Sequence, residues 1–383
     1  MFKKSLVAVA ALATFSAGAM AANVELYGVV DMGFSYTHTS HQEKGDKFEM
    51  SQNMYAGSRF GFRGTEDLGD DLTVGFILEN GFTPDTGAMA VSDTIFNRES
   101  QLYLKGSWGQ LGFGRVGAFT SGSSSLGWYW DLEPFETGYI DAGVQASQVN
   151  VWRLNSNTVY YISPVFAGFK VGAQYSMTGA ADPSVQEDSR WSENNNFGNV
   201  ALRWDGANAR AILGVEWDKY GKAEQGQRDD AWSVKLAGAW VPNGGAVTLY
   251  AGASWYKNQD RFSDSTYDDD GFLTDYYDES GKRLDAYSFF VGGKYTVGAA
   301  NWLAMFQYLD GENKGAIDGA PEKDFKRYIA SVGCHYYFSK RTMLYTIASF
   351  ADGDGIFDTV KHDDGGGAKS DRFMAHVGLT HFF

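Results

Sequence analysis

The sequence predicts an all-β chain that forms one sixteen-stranded antiparallel transmembrane β-barrel with short periplasmic turns and long external loops. Three observations predict it. Apolar and polar residues alternate with a period of two along most of the chain, tight and long connections alternate between those segments, and an export signal precedes the first strand. Composition agrees, since aromatic residues make up 16% of the chain and 47 of its 383 residues are glycine. That glycine share is about 12% against a usual ~7%, which suits strands and turns. Cys334 is the single cysteine, so an internal disulfide and a cysteine-based zinc site are both excluded. The balance of 32 basic against 47 acidic residues, net −15, speaks against a nucleic-acid partner, which needs a basic face.

The elements follow in chain order. Residues 1–21 read as a signal peptide: Met1-Phe2-Lys3-Lys4 is basic, Leu6 to Ala17 is apolar, and Ala19-Met20-Ala21 is a small-x-small cleavage site. Residues 22–383 form the barrel, and loss of Lys3 and Lys4 leaves a net charge of −17. In Val24 to His38, Leu26, Val30, Met32, Phe34 and Tyr36 share one face while Glu25, Asp31, Ser35 and Thr37 share the other. In Met54 to Gly64, Phe60 and Phe62 oppose Tyr55, Arg59 and Arg63. In Leu72 to Phe82, Val74, Phe76 and Leu78 oppose Thr73 and Glu79. The pattern returns at Phe169 to Ser176, Trp232 to Trp240, Tyr287 to Thr296 and Arg372 to Phe383.

Seven tight turns separate these strands, at Glu66 to Asp71, Gly106 to Gly109, Ser163 to Gly168, Asp205 to Asn208, Val241 to Gly245, Gly298 to Asn301 and Ser339 to Arg341. Eight longer connections, rich in Asp, Gly, Ser and Asn, lie near 39–52, 83–95, 118–150, 178–196, 220–230, 258–284, 311–323 and 352–370. Seven and eight connections give sixteen strands if the first and last pair with each other. An even count with short turns at one end and long loops at the other is the outer-membrane pattern. A soluble sandwich would show the same alternation with its apolar face inward. The export signal, the Trp and Tyr residues near strand ends and the aromatic terminal strand favour the membrane barrel.

Several blocks carry a resemblance. Val24-Glu25-Leu26-Tyr27-Gly28-Val29-Val30-Asp31, Ser58-Arg59-Phe60-Gly61-Phe62-Arg63-Gly64-Thr65-Glu66-Asp67-Leu68-Gly69, Leu111-Gly112-Phe113-Gly114-Arg115, Phe338-Ser339-Lys340-Arg341-Thr342 and Val377-Gly378-Leu379-Thr380-His381-Phe382-Phe383 are similar to the Gram-negative general porins, β-proteobacterial type. The resemblance covers essentially the chain after residue 21. It implies a homotrimer of sixteen-stranded barrels in the outer membrane, in contact with lipid and lipopolysaccharide. It also implies a third loop folded into each lumen, an arginine cluster on the facing wall, and passive diffusion of ions and small hydrophilic solutes.

The third long connection, 118–150, is unusually apolar for a loop: it contains Trp128-Tyr129-Trp130 followed by Asp131-Leu132-Glu133-Pro134-Phe135-Glu136. Folded inward, it would bury its aromatics against the wall and present Asp131, Glu133, Glu136 and Asp141 to the lumen. On the wall, Arg59 and Arg63 share the lumenal parity of the second strand, and Glu79 and Glu99 are lumenal by parity in theirs. Arg98 lies close to a family wall arginine, but parity from Leu102 and Leu104 turns it outward. Arg153 precedes the strand Asn157 to Ile162 and could reach the lumen, but a bulge would change its side. The same residues could simply pair and hold the wall.

No G-x-S-x-G elbow or H-E-x-x-H helix accompanies the six histidines, so no enzyme is expected. No cofactor or metal is expected either. Asp268-Asp269-Asp270-Gly271 lacks the ligands of an EF-hand at the required positions, Thr266 and Tyr277. A substrate-preferring channel, or an adhesin or receptor barrel with little conductance, remains the alternative function. On ion preference, the −17 charge and acidic loops incline the expectation to cations, against the wall arginines.

Overall fold

The structure, a computed structural model, describes residues 23–40, 45–140, 142–178, 194–221, 229–259, 283–315, 324–357, 360–361, 367–368 and 371–383. The signal segment 1–21, the Asp-rich stretch 260–282 and Asp141 lie outside the described residues. Sixteen antiparallel staves close into one barrel. They are β1 (Asn23–Thr39), β2 (Asp46–Gln52 and Arg59–Gly69), β3 (Leu72–Thr83), β4 (Glu99–Gly106), β5 (Gly109–Gly117), β6 (Leu154–Ile162), β7 (Phe169–Ser176) and β8 (Asn196–Asp205). They continue with β9 (Ala209–Lys219), β10 (Ala231–Trp240), β11 (Val247–Gln259), β12 (Leu284–Val297), β13 (Ala300–Asn313), β14 (Asp324–Ser339), β15 (Thr342–Asp354) and β16 (Arg372–Phe382). Each pairs with its sequence neighbour, and β16 pairs with β1 from Val29 opposite Phe382 to Thr39 opposite Arg372. Gly28 and Phe383 exchange backbone hydrogen bonds of 3.1 and 3.0 Å at the end of that seam. Among the described residues, closure leaves the barrel wall without an open edge, which is the condition for a sheet to cross a hydrocarbon layer.

The two faces of the wall are inverted relative to a soluble protein. Leu26, Phe60, Phe62, Leu102, Phe113, Leu213, Leu236 and Val332 stand exposed on the outside, while Asp31, Glu79, Glu99, Gln101, Glu216 and Lys235 are buried inside. A sandwich would show the reverse, so the alternation is that of a membrane barrel. Rings gather near both strand ends. Tyr287, Tyr308 and Tyr328 cluster at the loop end, and Trp217 stacks on Trp232 with centroids 6.1 Å apart. At the turn end Trp108 stacks on Tyr161 at 6.4 Å, and Tyr336 meets Phe338 edge-on. These are the positions where amphipathic rings sit between lipid and water.

All seven tight turns fall where the sequence places them. The first long connection is shorter than expected, because Asp46–Gln52 is strand and pairs with Met32 to His38. Lys47, Glu49 and Ser51 alternate there with Phe48 and Met50, a period of two partly hidden by the charges. Between its two segments β2 leaves the ladder at residues 53–58, where Asn53 takes a φ of +59°. The buried Asp31 carboxylate of β1 holds this break: it accepts the backbone N–H groups of Tyr55 and Ala56, both at 2.8 Å, and the Tyr345 hydroxyl at 2.9 Å. One oxygen of a carboxylate inside the wall thus satisfies backbone donors that the interrupted ladder no longer pairs, and the other is held by the Tyr345 hydroxyl.

Candidate functional site

The third loop lies inside the barrel. Phe119, Tyr129, Leu132, Phe135, Tyr139 and Val144 are buried in one cluster with inner-wall residues of β6 to β15, including Ile212, Phe290, Met305 and Tyr345. Apolar burial of this extent explains why a loop carries so many rings. Wall glycines make the approach possible: an added Cβ on Gly214 would collide with Thr120, and one on Gly292 would lie 2.6 Å from Pro134. Some of the glycine excess in the composition therefore serves loop docking as well as turns.

Polar groups pin the loop at its ends and middle. Thr120 and Asn150, near its start and finish, both donate to Glu216 of β9, Asn150 at 2.9 Å. The same carboxylate accepts from Ser233 at 2.8 Å and pairs with Lys235 at 3.1 Å, with side chains only 1% and 0% exposed for Glu216 and Lys235. Midway, Asp131 pairs with Arg203 at 2.9 Å and Arg210 at 2.8 Å. Beyond it, the Tyr139 hydroxyl hydrogen-bonds His335 at 2.8 Å, and its backbone N–H donates to Met54 in the β2 break. Glu136 accepts the Tyr55 hydroxyl at 2.5 Å and has Lys294 of β12 at 3.9 Å.

A cavity of about 700 Å³ remains between the loop and the wall formed by β1 to β4. Arg59, Arg63, Glu79, Arg98 and Glu99 line it from the wall, and Ser123, Ser125, Trp130, Glu136, Thr137 and Trp152 from the loop. Glu79 is the hub of the wall cluster. It pairs with Arg98 at 2.7 Å and Arg59 at 3.3 Å, and accepts the Tyr27 hydroxyl at 3.0 Å. Arg98 also donates to the Ser123 carbonyl at 2.8 Å, tying wall to loop. Arg63 sits nearer the turn end, paired with Glu25 at 2.8 Å and stacked over the Tyr27 ring.

The structure brings together Arg59, Arg63, Glu79, Glu99, Arg98 and Glu136 and separates the rest. Arg98 corrects its parity: it stands one residue before β4, where the ladder ends at the Glu79–Glu99 pair, and its side chain runs past Gly57 and Gly81 into the lumen. Glu99 is lumenal as expected but covered, because it accepts the Ser125 N–H and hydroxyl, each at 2.7 Å. Glu133 does not face the lumen. It is fully buried and turns back on its own loop to accept the N–H groups of Phe135, at 2.7 Å, and Thr137, and burial raises its carboxyl to about 8. Asp131 points away from the wall arginines of β2 and β4 to Arg203 and Arg210 across the barrel. Arg153 does reach the interior, but it is locked to Asp218 at 2.6 Å and over the Phe197 ring, outside the lining of the cavity.

Residues that sequence reasoning passed over include Tyr27, Tyr55, Lys294, Arg203, Arg210 and the Glu216–Lys235 pair. Their lumenal parity was readable, but nothing local says that Tyr55, Lys294, Arg203, Arg210 and Glu216 meet a loop 66 to 158 residues away in the chain, or that Tyr27 and Lys235 pair with wall carboxylates beside it.

Residues 8–355 match the family model described as Gram-negative porin. An outer membrane porin protein of Bordetella pertussis is 31% identical over 94% of this chain and 97% of its own length. A major outer membrane protein P.IB of Neisseria sicca is 26% identical with 100% of both chains covered. Among solved structures, the anion-selective porin from Comamonas acidovorans shares the fold with a TM-score of 0.66 at 23% identity, covering 94% of this chain and 100% of that one. An inverted closed barrel, a loop folded into its lumen and these likenesses agree, and the chain belongs to the Gram-negative porin family, as a channel of the outer membrane.

Proposed function

We propose that the channel passes ions and small hydrophilic solutes passively and prefers anions at its narrow section, between Arg59, Arg63 and Arg98 on the wall and Glu136 on the loop. One observation carries this reading. The Arg59 and Arg98 side chains are 24% and 17% exposed to the cavity, whereas the Glu79 they share is 5% exposed. Glu99 is covered by Ser125. Charge that meets water is what a permeating ion feels, so the arginines dominate although the cavity lining carries equal numbers of Arg and Glu. This reverses the inclination to cations given by the net charge, because that charge is spread over the chain and beyond a Debye length of about 8 Å it is screened. The anion-selective relative from Comamonas is consistent with it. Reversal potential in a salt gradient tests the sign: chloride preference is expected, and potassium preference in the unaltered channel would sink the reading.

The same reading includes a homotrimer embedded in lipid and lipopolysaccharide, removal of residues 1–21 on export, and no catalytic activity. Unheated electrophoresis, N-terminal sequencing of the purified protein and assay of ester hydrolysis test these three in turn.

A further inference from the structure

A water-filled lumen is normally lined by polar groups, yet two tryptophans of the third loop stand open inside this one. Trp130 is 48% and Trp152 42% exposed, and both line the cavity that Arg59, Arg63 and Arg98 line from the opposite wall. Their neighbours in the loop show that burial was available. Tyr129 is fully buried and Trp128 nearly so, packed 4.5 Å from Phe119. Half-exposed indole surface in water is unfavourable in proportion to its area, and a ring laid against it relieves that cost and adds the preference of aromatic faces for one another. The facing guanidiniums supply the complement for a negative group. Arg98 keeps its Glu79 and Ser123 bonds, which hold its planar fork in place, and a guanidinium has five donors to share. A volume of about 700 Å³ lies within the range of small-molecule sites.

We infer that the cavity is a binding subsite for small aromatic carboxylates, with the ring on Trp130 and Trp152 and the carboxylate toward Arg98 and Arg59. The inference rests on the channel reading and deepens it: such solutes pause in the pore, whereas small inorganic anions pass. Binding of this kind shows as a concentration-dependent reduction of the salt current.

The test is planar-bilayer recording in potassium chloride with benzoate, acetate or cyclohexanecarboxylate added. The three share one charge and differ in the ring. Benzoate is expected to half-block the current at a concentration roughly tenfold below that of acetate, in line with the strength of aromatic pairs plus area burial. Cyclohexanecarboxylate, which buries apolar area without offering an aromatic face, should fall between the two. Trp130→Ala should raise the benzoate half-block concentration roughly fivefold, and Arg98→Gln should weaken acetate and benzoate together. Equal action of benzoate and acetate on the unaltered channel would overturn the inference, as would a Trp130→Ala channel blocked by benzoate as strongly as its parent. Failure of the channel reading looks different, since it would appear as no stepped conductance in potassium chloride before any organic anion is added. The comparison on the unaltered protein decides the matter even if a variant does not fold.

Discussion

Replacing Glu216 by Ala attacks the clasp that holds the third loop by both ends. The carboxylate accepts hydrogens from Thr120, Asn150, Ser233 and Lys235, and only the first two belong to the loop. Hydrogen bonds to a charged group contribute roughly 1.5–3 kcal/mol each, so the two loop contacts together amount to roughly 3–6 kcal/mol. The variant also leaves the Lys235 ammonium buried without this partner, a penalty of about 3–5 kcal/mol for a broken buried pair. None of this touches the backbone ladder of the sixteen staves, so the barrel should still form and the loss should fall on the loop ends. Even about 3 kcal/mol lowers the ratio of clasped to unclasped loop by roughly 150-fold.

Single-channel recording reads the result. The variant should show open-state flicker, absent from its parent, on the microsecond-to-millisecond scale of loop motion, together with faster chymotrypsin cleavage at the aromatic run Trp128-Tyr129-Trp130. The double variant Glu216→Gln, Lys235→Met removes the stranded charge and keeps an acceptor at 216, so it should recover much of the loss. A Glu216→Ala channel with the same step size, open-state noise and protease resistance as its parent would refute the clasp, and with it the view that the loop ends depend on the wall carboxylate.

Three further outcomes are expected. Arg98→Gln removes one charge from the cavity wall; for an ion passing at about 8 Å in water, one Debye length away, the loss is about 0.2 kcal/mol, favouring cations and disfavouring anions alike, so the chloride-to-potassium ratio should fall about twofold in reversal-potential measurements. Gly214→Ala places a Cβ where Thr120 now sits, which should break one of the two loop clips and give a milder form of the Glu216→Ala flicker, with a stability loss of about 1–3 kcal/mol by denaturant titration. For Glu133, burial raises the folded carboxyl to about 8, above its ordinary value of 4.5. Its stabilising contribution is therefore complete below about 4.5 and is lost as pH rises through about 8. Protease resistance of the loop should decline over that interval, and Glu133→Gln should flatten the decline.

How much of this was legible in the sequence depends on the range of the contacts involved. Stave count and turn positions rest on local alternation, so Phe60 and Phe62 outside and Arg59 inside follow from a period of two. That rule stops at the strand end, which is why it turned Arg98 the wrong way by a single residue beyond the ladder. For the loop, the sequence showed an apolar segment that needs cover, and it is covered. It could not tell Glu133 from Glu136, three residues apart on the same loop. One closes on its own backbone and the other meets Tyr55, and the loop between and beyond them lies against Gly292, Gly333 and His335 on distant staves. The β2 break escaped notice for the same reason, because Asp31 reads as one more lumenal carboxylate until Tyr55 and Ala56 are seen to need it.

The seam between β1 and β16 has a consequence for how the molecule is made. It joins Val29 to Phe382, near opposite ends of the chain, and among the pairings of the wall it spans the greatest sequence separation. Contacts that distant are slow to find, because the intervening chain must be ordered before they yield any return. Until the last stave arrives, two rows of unpaired N–H and C=O groups face outward as a template for any passing strand. Assembly of this chain is accordingly all-or-none in its final step, and a cell must shield the unfinished sheet until Phe383 reaches Gly28.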